Sequence, residues 1–346
     1  MKKNFYAVIM AGGKGERLWP LSRTKNPKPF IDILGKPLIK LTYQRLKKIL
    51  PGENIIVIVP SYLSALVKKN LSNVKILREP VAKNTLATCV YSTFYIYKKN
   101  KKSVIGIFPA DHVIKDEEKF REIVMFAFRN ASDSLLTFGI EPQRPETGYG
   151  YIELEGSVYK ENGLEIRSVR GFHEKPDREK ALHYLRKGNF MWNSGMFVWR
   201  AETFINVLKE ANYEVFKLLK HLENKNIKRF FEEVPETSID YGLLEKTDKI
   251  HCIPSDFGWE DLGSFLSFEN ILEKDKDENS KVGDVIFVDS KGNIGFSKNK
   301  KVVFFRTENL VLVNTDDITL VFPKSESQDI KELMRILKKK LNKRYF

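Results

Sequence analysis

Two stretches near the start of the chain have the makeup of a polyphosphate site. In Ala11-Gly12-Gly13-Lys14-Gly15-Glu16-Arg17-Leu18-Trp19-Pro20-Leu21-Ser22, glycines follow the short apolar run 6–10 and let the backbone turn so tightly that consecutive N–H groups can face one ligand. A concave set of amides of that kind binds anions. Arg17 adds a planar fork suited to phosphate oxygens, and Lys28, in Asn26-Pro27-Lys28-Pro29-Phe30, adds a point charge on a segment that two prolines hold extended. A Gly-rich turn with solvated basic residues has the same composition, so this loop needs support from elsewhere in the chain. Farther on, Phe108-Pro109-Ala110-Asp111-His112 sets a carboxylate directly after an apolar strand. Facing phosphate it would repel unless a cation lay between them, and Mg²⁺ held by one or two carboxylates and by phosphate oxygens is the usual solution. A turn or N-cap aspartate is the alternative. Asp261, in Phe257-Gly258-Trp259-Glu260-Asp261-Leu262-Gly263-Ser264, is a second carboxylate that such an ion would want, and it also precedes a helix from Ser264 onward.

Five further segments carry polar residues that need an account. Arg78-Glu79-Pro80-Val81-Ala82-Lys83-Asn84-Thr85 joins a strand to a helix, where capping and base recognition would each account for Asn84. The irregular run 141–151, with Thr147, Gly148 and Gly150 beside aromatics, suits close approach of a hydroxyl-rich ligand, although a plain loop uses the same residues. A strand over 165–172 delivers His173-Glu174-Lys175-Pro176. If it continues, Glu174 and Lys175 point to opposite faces and do not simply neutralise each other. Residues 190–199 are strongly apolar except for Asn193-Ser194-Gly195, and a buried amide must be satisfied there, by a sugar hydroxyl or by an internal hydrogen bond. Residues 238–246 read as a short helix with Asp240 as a capping residue and Lys246 as a solvated charge.

These segments need a scaffold, and the apolar pattern supplies one. Helical spacing over 37–50, 62–70, 85–98 and 117–130 alternates with apolar runs at 55–59, 74–77, 104–108 and 134–139. The alternation predicts right-handed crossovers and a mainly parallel, Rossmann-like α/β sheet, which the 134–139 strand completes. Ligands in such sheets sit beyond the carboxyl ends of the strands, so chemistry is to be sought at 11–28, 78–85 and 109–112. After a charged stretch, 271–281, taken as a linker, residues 282–323 contain short β-rich runs separated by turn residues. They predict a small β-domain, with a left-handed β-helix fragment as one form it could take, closed by an amphipathic helix over 328–341. The expected division is therefore 1–270, 271–281 and 282–346.

Composition narrows the partners. The 346 residues carry a formal charge of +14, but the basic residues are scattered, and the cluster at 338–344 reads as the solvated face of a last helix, with no nucleic-acid module beside it. Acidic small substrates fit better than nucleic acid. Only Cys89 and Cys252 are present, too few and too far apart for a disulfide framework or a zinc motif, and a reducing cytoplasm is expected. Met1-Lys2-Lys3 with the apolar run behind it lacks a credible cleavage site and reads as the lead into the first strand, and no stretch approaches the ~20 apolar residues that span a bilayer.

Taken in order, Gly-Gly-Lys-Gly-Glu-Arg-Leu-Trp-Pro-Leu-Ser with Lys28-Pro29-Phe30, Pro109-Ala110-Asp111-His112, Phe172-His-Glu-Lys-Pro176, Trp192-Asn-Ser-Gly195 and Trp259-Glu-Asp-Leu-Gly263 resemble the sugar-phosphate nucleotidyltransferases. The nearest likeness is to the mannose-1-phosphate guanylyltransferases, which make GDP-mannose from GTP. The resemblance implies that Gly12, Gly13, Gly15 and Arg17 hold the triphosphate, that Lys28 stabilises charge at the phosphates, and that Asp111 with Asp261 binds Mg²⁺. Lys175 would meet the sugar phosphate, Thr147, Gly148, Glu174 and Asn193 the sugar hydroxyls, and Glu79, Pro80, Asn84 and Thr85 would lie by the guanine, with Pro109 also at the nucleotide. Glu16 stands where many relatives have Thr, and no role is assigned to it. The bifunctional relatives carry a further cupin-type isomerase domain for which this chain leaves no room, so a short monofunctional form is expected, self-associating, with a dimer favoured. A sister enzyme using UTP or dTTP, and a non-catalytic subunit that binds nucleotide sugar, are the competing readings.

Overall fold

The computed structural model describes residues 4–13 and 15–346, so Lys14 of the glycine-rich loop and the first three residues lie outside it. The chain forms two compact units, one of residues 1–12, 42–110 and 116–259, the other of residues 13–41, 111–115 and 260–346. The charged stretch 271–281 lies in the second unit, where Asn279 is buried and Asp275 accepts the Asn279 N–H at 2.9 Å.

The first unit is built on a nine-stranded sheet. Its strands are β1 (Phe5–Met10), β2 (Ile55–Pro60), β3 (Lys75–Glu79), β4 (Val104–Pro109), β5 (Leu135–Ile140), β6 (Tyr151–Glu161), β7 (Leu164–His173), β8 (Phe190–Arg200) and β9 (Ile250–Ser255), in the order β3-β2-β1-β4-β8-β5-β9-β7-β6. The expected parallel half is present, with β1 pairing β2 and β4, and β2 pairing β3. β2, Ile-Ile-Val-Ile-Val-Pro, is buried throughout, as a strand covered on both faces must be. β5 does not extend this half directly. The eleven-residue β8, antiparallel to both, separates β4 from β5, and β5 resumes parallel pairing with β9. An apolar run has no local mark of its neighbour, and Trp199 draws β8 inward: its indole donates to Thr93 Oγ1 at 3.0 Å and its ring stacks on Phe204 at 4.6 Å. The helix Thr85–Tyr97 is capped by Asn84, and the helix Arg178–Lys187 by Asp177, as their sequences suggest.

The second unit carries a four-stranded sheet, β10 (Ser280–Val288), β11 (Ile294–Phe305), β12 (Leu310–Asn314) and β13 (Thr319–Pro323). The first three strands stack in parallel, with Ser280 beside Ile294 and Ile294 beside Val311, and β13 returns antiparallel. Buried asparagines hold the corner of this stack: Asn293 takes the Asn279 side-chain oxygen on its N–H at 2.9 Å and gives its own oxygen to the Leu310 N–H at 3.0 Å. Phe265, Phe268, Phe296 and Phe322 fill the core with Leu18, Trp19 and Ile330, and the last α-helix covers Ile330–Leu337, shorter than the expected 328–341.

Among the described residues no helix is long and apolar enough to cross a membrane. Cys89 and Cys252 are free and fully buried, and burial pushes the Cys252 thiol up to about 12 and Cys89 well above its ordinary value. The native protein is therefore expected to resist thiol reagents, with labelling of both cysteines appearing only across the urea unfolding transition; rapid labelling of either under native conditions would contradict this packing.

Candidate active site

In the second unit the cationic and acidic residues meet at Lys28. Pro27 sets the entry to the 3₁₀ turn Lys28–Phe30, and the Lys28 stem packs on Gly15, where an added Cβ would lie 2.6 Å from Lys28 Cβ. Gly15 also has φ 60°, so glycine is required there on two grounds. The Lys28 ammonium lies 2.7 Å from Asp111 Oδ2 and donates to the Asp261 backbone carbonyl. Two aspartates 150 positions apart thus share one ammonium. Burial alone would push the Asp111 carboxyl up, but the Lys28 ammonium, His112, and hydrogen bonds from Lys28 and from its own backbone bring it below the ordinary aspartate range. The Asp261 carboxylate turns back on its own loop and accepts the Gly263 N–H at 2.7 Å. Gly13, with φ 96°, is open around its Cα, and Glu16–Leu18 forms one 3₁₀ turn that carries Arg17. Glu16 pairs with Lys338 at 3.4 Å, which gives its carboxylate a partner outside the glycine-rich loop.

This donor set suits Mg²⁺. The Asp111 carboxylate and the Asp261 backbone carbonyl, both set against one cation, supply hard oxygens, and among the described residues no group of three or more His, Cys, Asp or Glu gathers to hold a metal unaided. Mg²⁺ characteristically takes one or two carboxylates and completes its shell with phosphate oxygens and water.

In the first unit the carboxyl ends of β1, β2, β3 and β4 lie along one sheet edge. There Ala11 donates to Ile58 O at 2.9 Å, Ala110 donates to Met10 O at 3.0 Å, and Gly12 follows exposed. Pro109 ends β4, and Glu79 ends β3. Glu79 is buried and accepts from Thr88 Oγ1 at 2.5 Å; burial raises its carboxyl to about 7, against a smaller lowering by that hydrogen bond. Pro80 is exposed beside it. Asn84 spends its side-chain oxygen on the Thr85 N–H at 2.8 Å, and Thr85 Oγ1 accepts the Ile239 N–H at 2.9 Å.

The same unit brings Asn193 and Glu174 to Asp240. Asn193 Oδ1 accepts from Thr137 Oγ1 at 3.0 Å and from Gly195 N at 3.2 Å, and its Nδ2 donates to Asp240 Oδ1 at 2.9 Å. The amide is thus satisfied internally. Asp240 is not the cap that its sequence suggests. Ser238 caps the short helix Ile239–Gly242, and burial, reinforced by the Glu174 carboxylate, pushes Asp240 up to about 6. Nothing local in Ser238-Ile239-Asp240 marks it as buried, so only the tertiary structure reveals this residue. Glu174 and Lys175 do not point to opposite faces either. β7 ends at His173 and Lys175 takes φ 46°, which folds its ammonium onto Glu174 Oε1. Gly150 makes room for that carboxylate, since a Cβ there would lie 2.6 Å from Glu174 Oε2. Thr147 is exposed, and the Gly148 N–H donates to Glu146 Oε1 at 3.0 Å.

With this geometry stand the likenesses to known proteins. The family model described as nucleotidyl transferase matches residues 6–278, and one described as MannoseP isomerase/GMP-like beta-helix domain matches residues 283–337. A Salmonella muenchen protein named mannose-1-phosphate guanylyltransferase is 35% identical over 351 residues, covering 96% of this chain and 73% of the relative. The alginate biosynthesis protein AlgA of Pseudomonas aeruginosa is 33% identical, covering 95% and 71%. A crystal structure from Thermus thermophilus, described as a mannose-1-phosphate geranyltransferase, superposes with a TM-score of 0.91 at 30% identity, covering 97% of this chain and 99% of that one. The chain belongs to the nucleotidyl transferase family, among relatives that carry the name mannose-1-phosphate guanylyltransferase.

The buried Glu79 makes a pH prediction. Its folded value is raised, so its contribution is full below the unfolded value and is lost as pH rises through about 7. Relative to the native protein, Glu79→Gln is expected to gain on the order of 3 kcal/mol between pH 4.5 and pH 8. Urea melts of both proteins at the two pH values measure it, and a difference independent of pH would contradict it.

Proposed function

We propose that this protein transfers GMP from GTP to α-D-mannose 1-phosphate, giving GDP-mannose and pyrophosphate. The observation that carries the proposal is the Lys28 ammonium shared by Asp111 and Asp261 beside Gly15, in a chain whose relatives bear that enzyme's name. A phosphate oxygen of the sugar phosphate attacks the α-phosphorus of GTP in line, and the bond to the bridging oxygen of pyrophosphate breaks. The attacking phosphate is mostly ionised at neutral pH, its second pKa being about 6, so no general base is needed. The work left to the protein is alignment of two anions and neutralisation of charge on the leaving group. Gly12, Gly13, Gly15 and Arg17 hold the triphosphate, Lys28 neutralises charge at the phosphates, and Lys175 meets the sugar phosphate. Asp111 and Asp261 hold Mg²⁺, which when bound supplies Lewis-acid stabilisation of phosphate oxygens.

Glu79, with Pro80, Asn84, Thr85 and Pro109 near it, reads the base. A carboxylate suits the adjacent N–H donors on one edge of guanine, which uracil and thymine lack, and this favours GTP over UTP or dTTP. Thr147, Gly148, Glu174 and Asn193 take the sugar hydroxyls. In this reading residues 1–270 do the chemistry, in a cytoplasmic setting that suits two buried free thiols.

A dimer is part of the same proposal. Ile286 and Val288 of β10 lie beside Val303 and Phe305 of β11 on one exposed face, with Val303 and Phe305 each 57% accessible. Asp284–Lys301 and Asp289–Arg306 pairs flank it. Each flank carries one acid and one base, so a two-fold axis through the patch sets complementary ends together, whereas a polyanion would gain nothing there. A second copy of the chain is the occupant.

Pyrophosphate release from GTP and mannose 1-phosphate is expected to require Mg²⁺ and to fall at least about 100-fold in Asp111→Asn. A clear preference for UTP or dTTP would overturn the guanylyl assignment, and binding of GDP-mannose without turnover would favour the regulatory-subunit reading. Light scattering is expected to give a dimer that Phe305→Glu converts to monomer; an unchanged mass would remove this interface.

A further inference from the structure

Around the glycine-rich loop of the second unit, the residues with anchored side chains alternate with one that is unanchored. The Arg17 guanidinium has no hydrogen-bond or ion-pair partner among the described residues. Its neighbours are tied to segments some 300 positions away in sequence. The Trp19 indole N–H donates to Tyr345 O at 2.8 Å, and its ring stacks on Phe346 with centroids 6.1 Å apart. Arg23 turns its fork on the carboxylate of Asp317, Nη1 to Oδ2 at 2.8 Å and Nη2 to Oδ1 at 2.6 Å, and adds a bond to Thr315 Oγ1 at 3.1 Å. Its Nε donates back to Pro20 O at 3.0 Å, so one guanidinium joins the loop to the 315–317 turn. Lys338 reaches Glu16 on the other side.

We infer that Trp19, Arg23 and Asp317 are positioning residues for the nucleoside triphosphate: they strap residues 15–23 to the 315–317 turn and the 343–346 segment, and so hold Arg17 and the loop amides in binding geometry. The inference rests on the reading of that loop as the triphosphate site. An anion site made of successive amides works only while its backbone keeps one conformation; a loop that reaches that conformation for a fraction of the time binds more weakly by that fraction. Among the described residues from Gly13 to Arg23 the local order is one 3₁₀ turn and the Ser22 N–H donating to Leu18 O at 3.0 Å, beside two glycines of positive φ, Gly13 and Gly15, so much of its order comes from contacts outside it. The strap supplies that order while leaving Arg17 free for the ligand. The hydrogen bonds from Arg23 hold the Asp317 carboxyl down at about 2, so the bidentate contact persists at every working pH. In this arrangement the β-domain serves nucleotide binding without touching the nucleotide.

The test is steady-state kinetics on full-length Asp317→Ala, Trp19→Phe, the exchanged pair Arg23→Asp with Asp317→Arg, and Arg17→Ala, each checked by thermal melting. Asp317→Ala is expected to raise KM for GTP about 5- to 10-fold with KM for mannose 1-phosphate within about twofold of the native value. Trp19→Phe keeps the ring and loses the N–H, for a rise of about 2- to 3-fold. The exchanged pair is expected to recover most of the loss, which a merely structural contribution to folding would not do selectively for one substrate. If Asp317→Ala leaves KM for GTP unchanged, or raises both KM values alike, while Arg17→Ala weakens GTP, the strap is overturned and the triphosphate reading stands. If Arg17→Ala also leaves GTP binding unchanged, the reading of the loop falls and the strap falls with it.

Discussion

A lysine with little access to water must keep its charge matched, and Lys28 does so with groups from two other parts of the sequence. Its ammonium meets the Asp111 carboxylate and the Asp261 carbonyl, while its stem occupies the space that Gly15 leaves by having no side chain. Each partner is constrained in turn. Without the ammonium, Asp111 would be an enclosed carboxylate with burial pushing it toward the neutral form, and breaking a pair of that kind costs about 3–5 kcal/mol because an uncompensated charge remains. A pair that expensive to break also has a use. It keeps the Asp111 carboxylate charged and fixed against a cation, and groups fixed in advance in this way are what charge stabilisation in a transition state requires.

The first unit solves a different electrostatic problem. Its enclosed acids, Glu79 and Asp240, have no full counter-ion; Glu79 is held by a hydroxyl and Asp240 by an amide, and burial raises both. Groups arranged in this way are costly for the fold alone and suit recognition of neutral donors such as base N–H groups and sugar hydroxyls. The second unit thus holds a matched charge pair at Lys28, and the first holds acids kept in place by neutral donors.

Local pattern made much of this legible. The glycine-rich loop, the β-branched run of β2, and the caps at Asn84 and Asp177 are all governed by residues within a turn or two, and a sequence displays those directly. What stayed hidden depends on distant partners. The insertion of β8 between β4 and β5 follows from packing of Trp199 on Thr93 and Phe204, which no periodicity reports. The fold-back of Lys175 onto Glu174 needs a left-handed backbone at a residue that is not glycine, an arrangement that costs about 1–3 kcal/mol and persists only where the surroundings enforce it. Asp240 reads as a helix-start aspartate because its partner, the Asn193 amide, stands some fifty positions earlier.

The charge balance of the chain follows the same logic at larger scale. An excess of +14 would suggest a polyanion partner if it were concentrated, yet many of the lysines are paired locally, Lys119 with Asp256, Lys249 with Glu210 and Lys274 with Glu278 among them. Exposed pairs of this kind contribute little to stability, and they also break up any continuous basic stripe. What survives at long range is a diffuse positive field. A diffuse field cannot select a sequence of phosphates along a nucleic acid, but it raises the encounter rate of any small anion, and both substrates of the proposed reaction are anions that must enter together despite repelling each other. The surplus of lysine and arginine is then most useful before binding, in bringing two like-charged molecules to one protein, while the few cations held in fixed geometry do the work once they arrive.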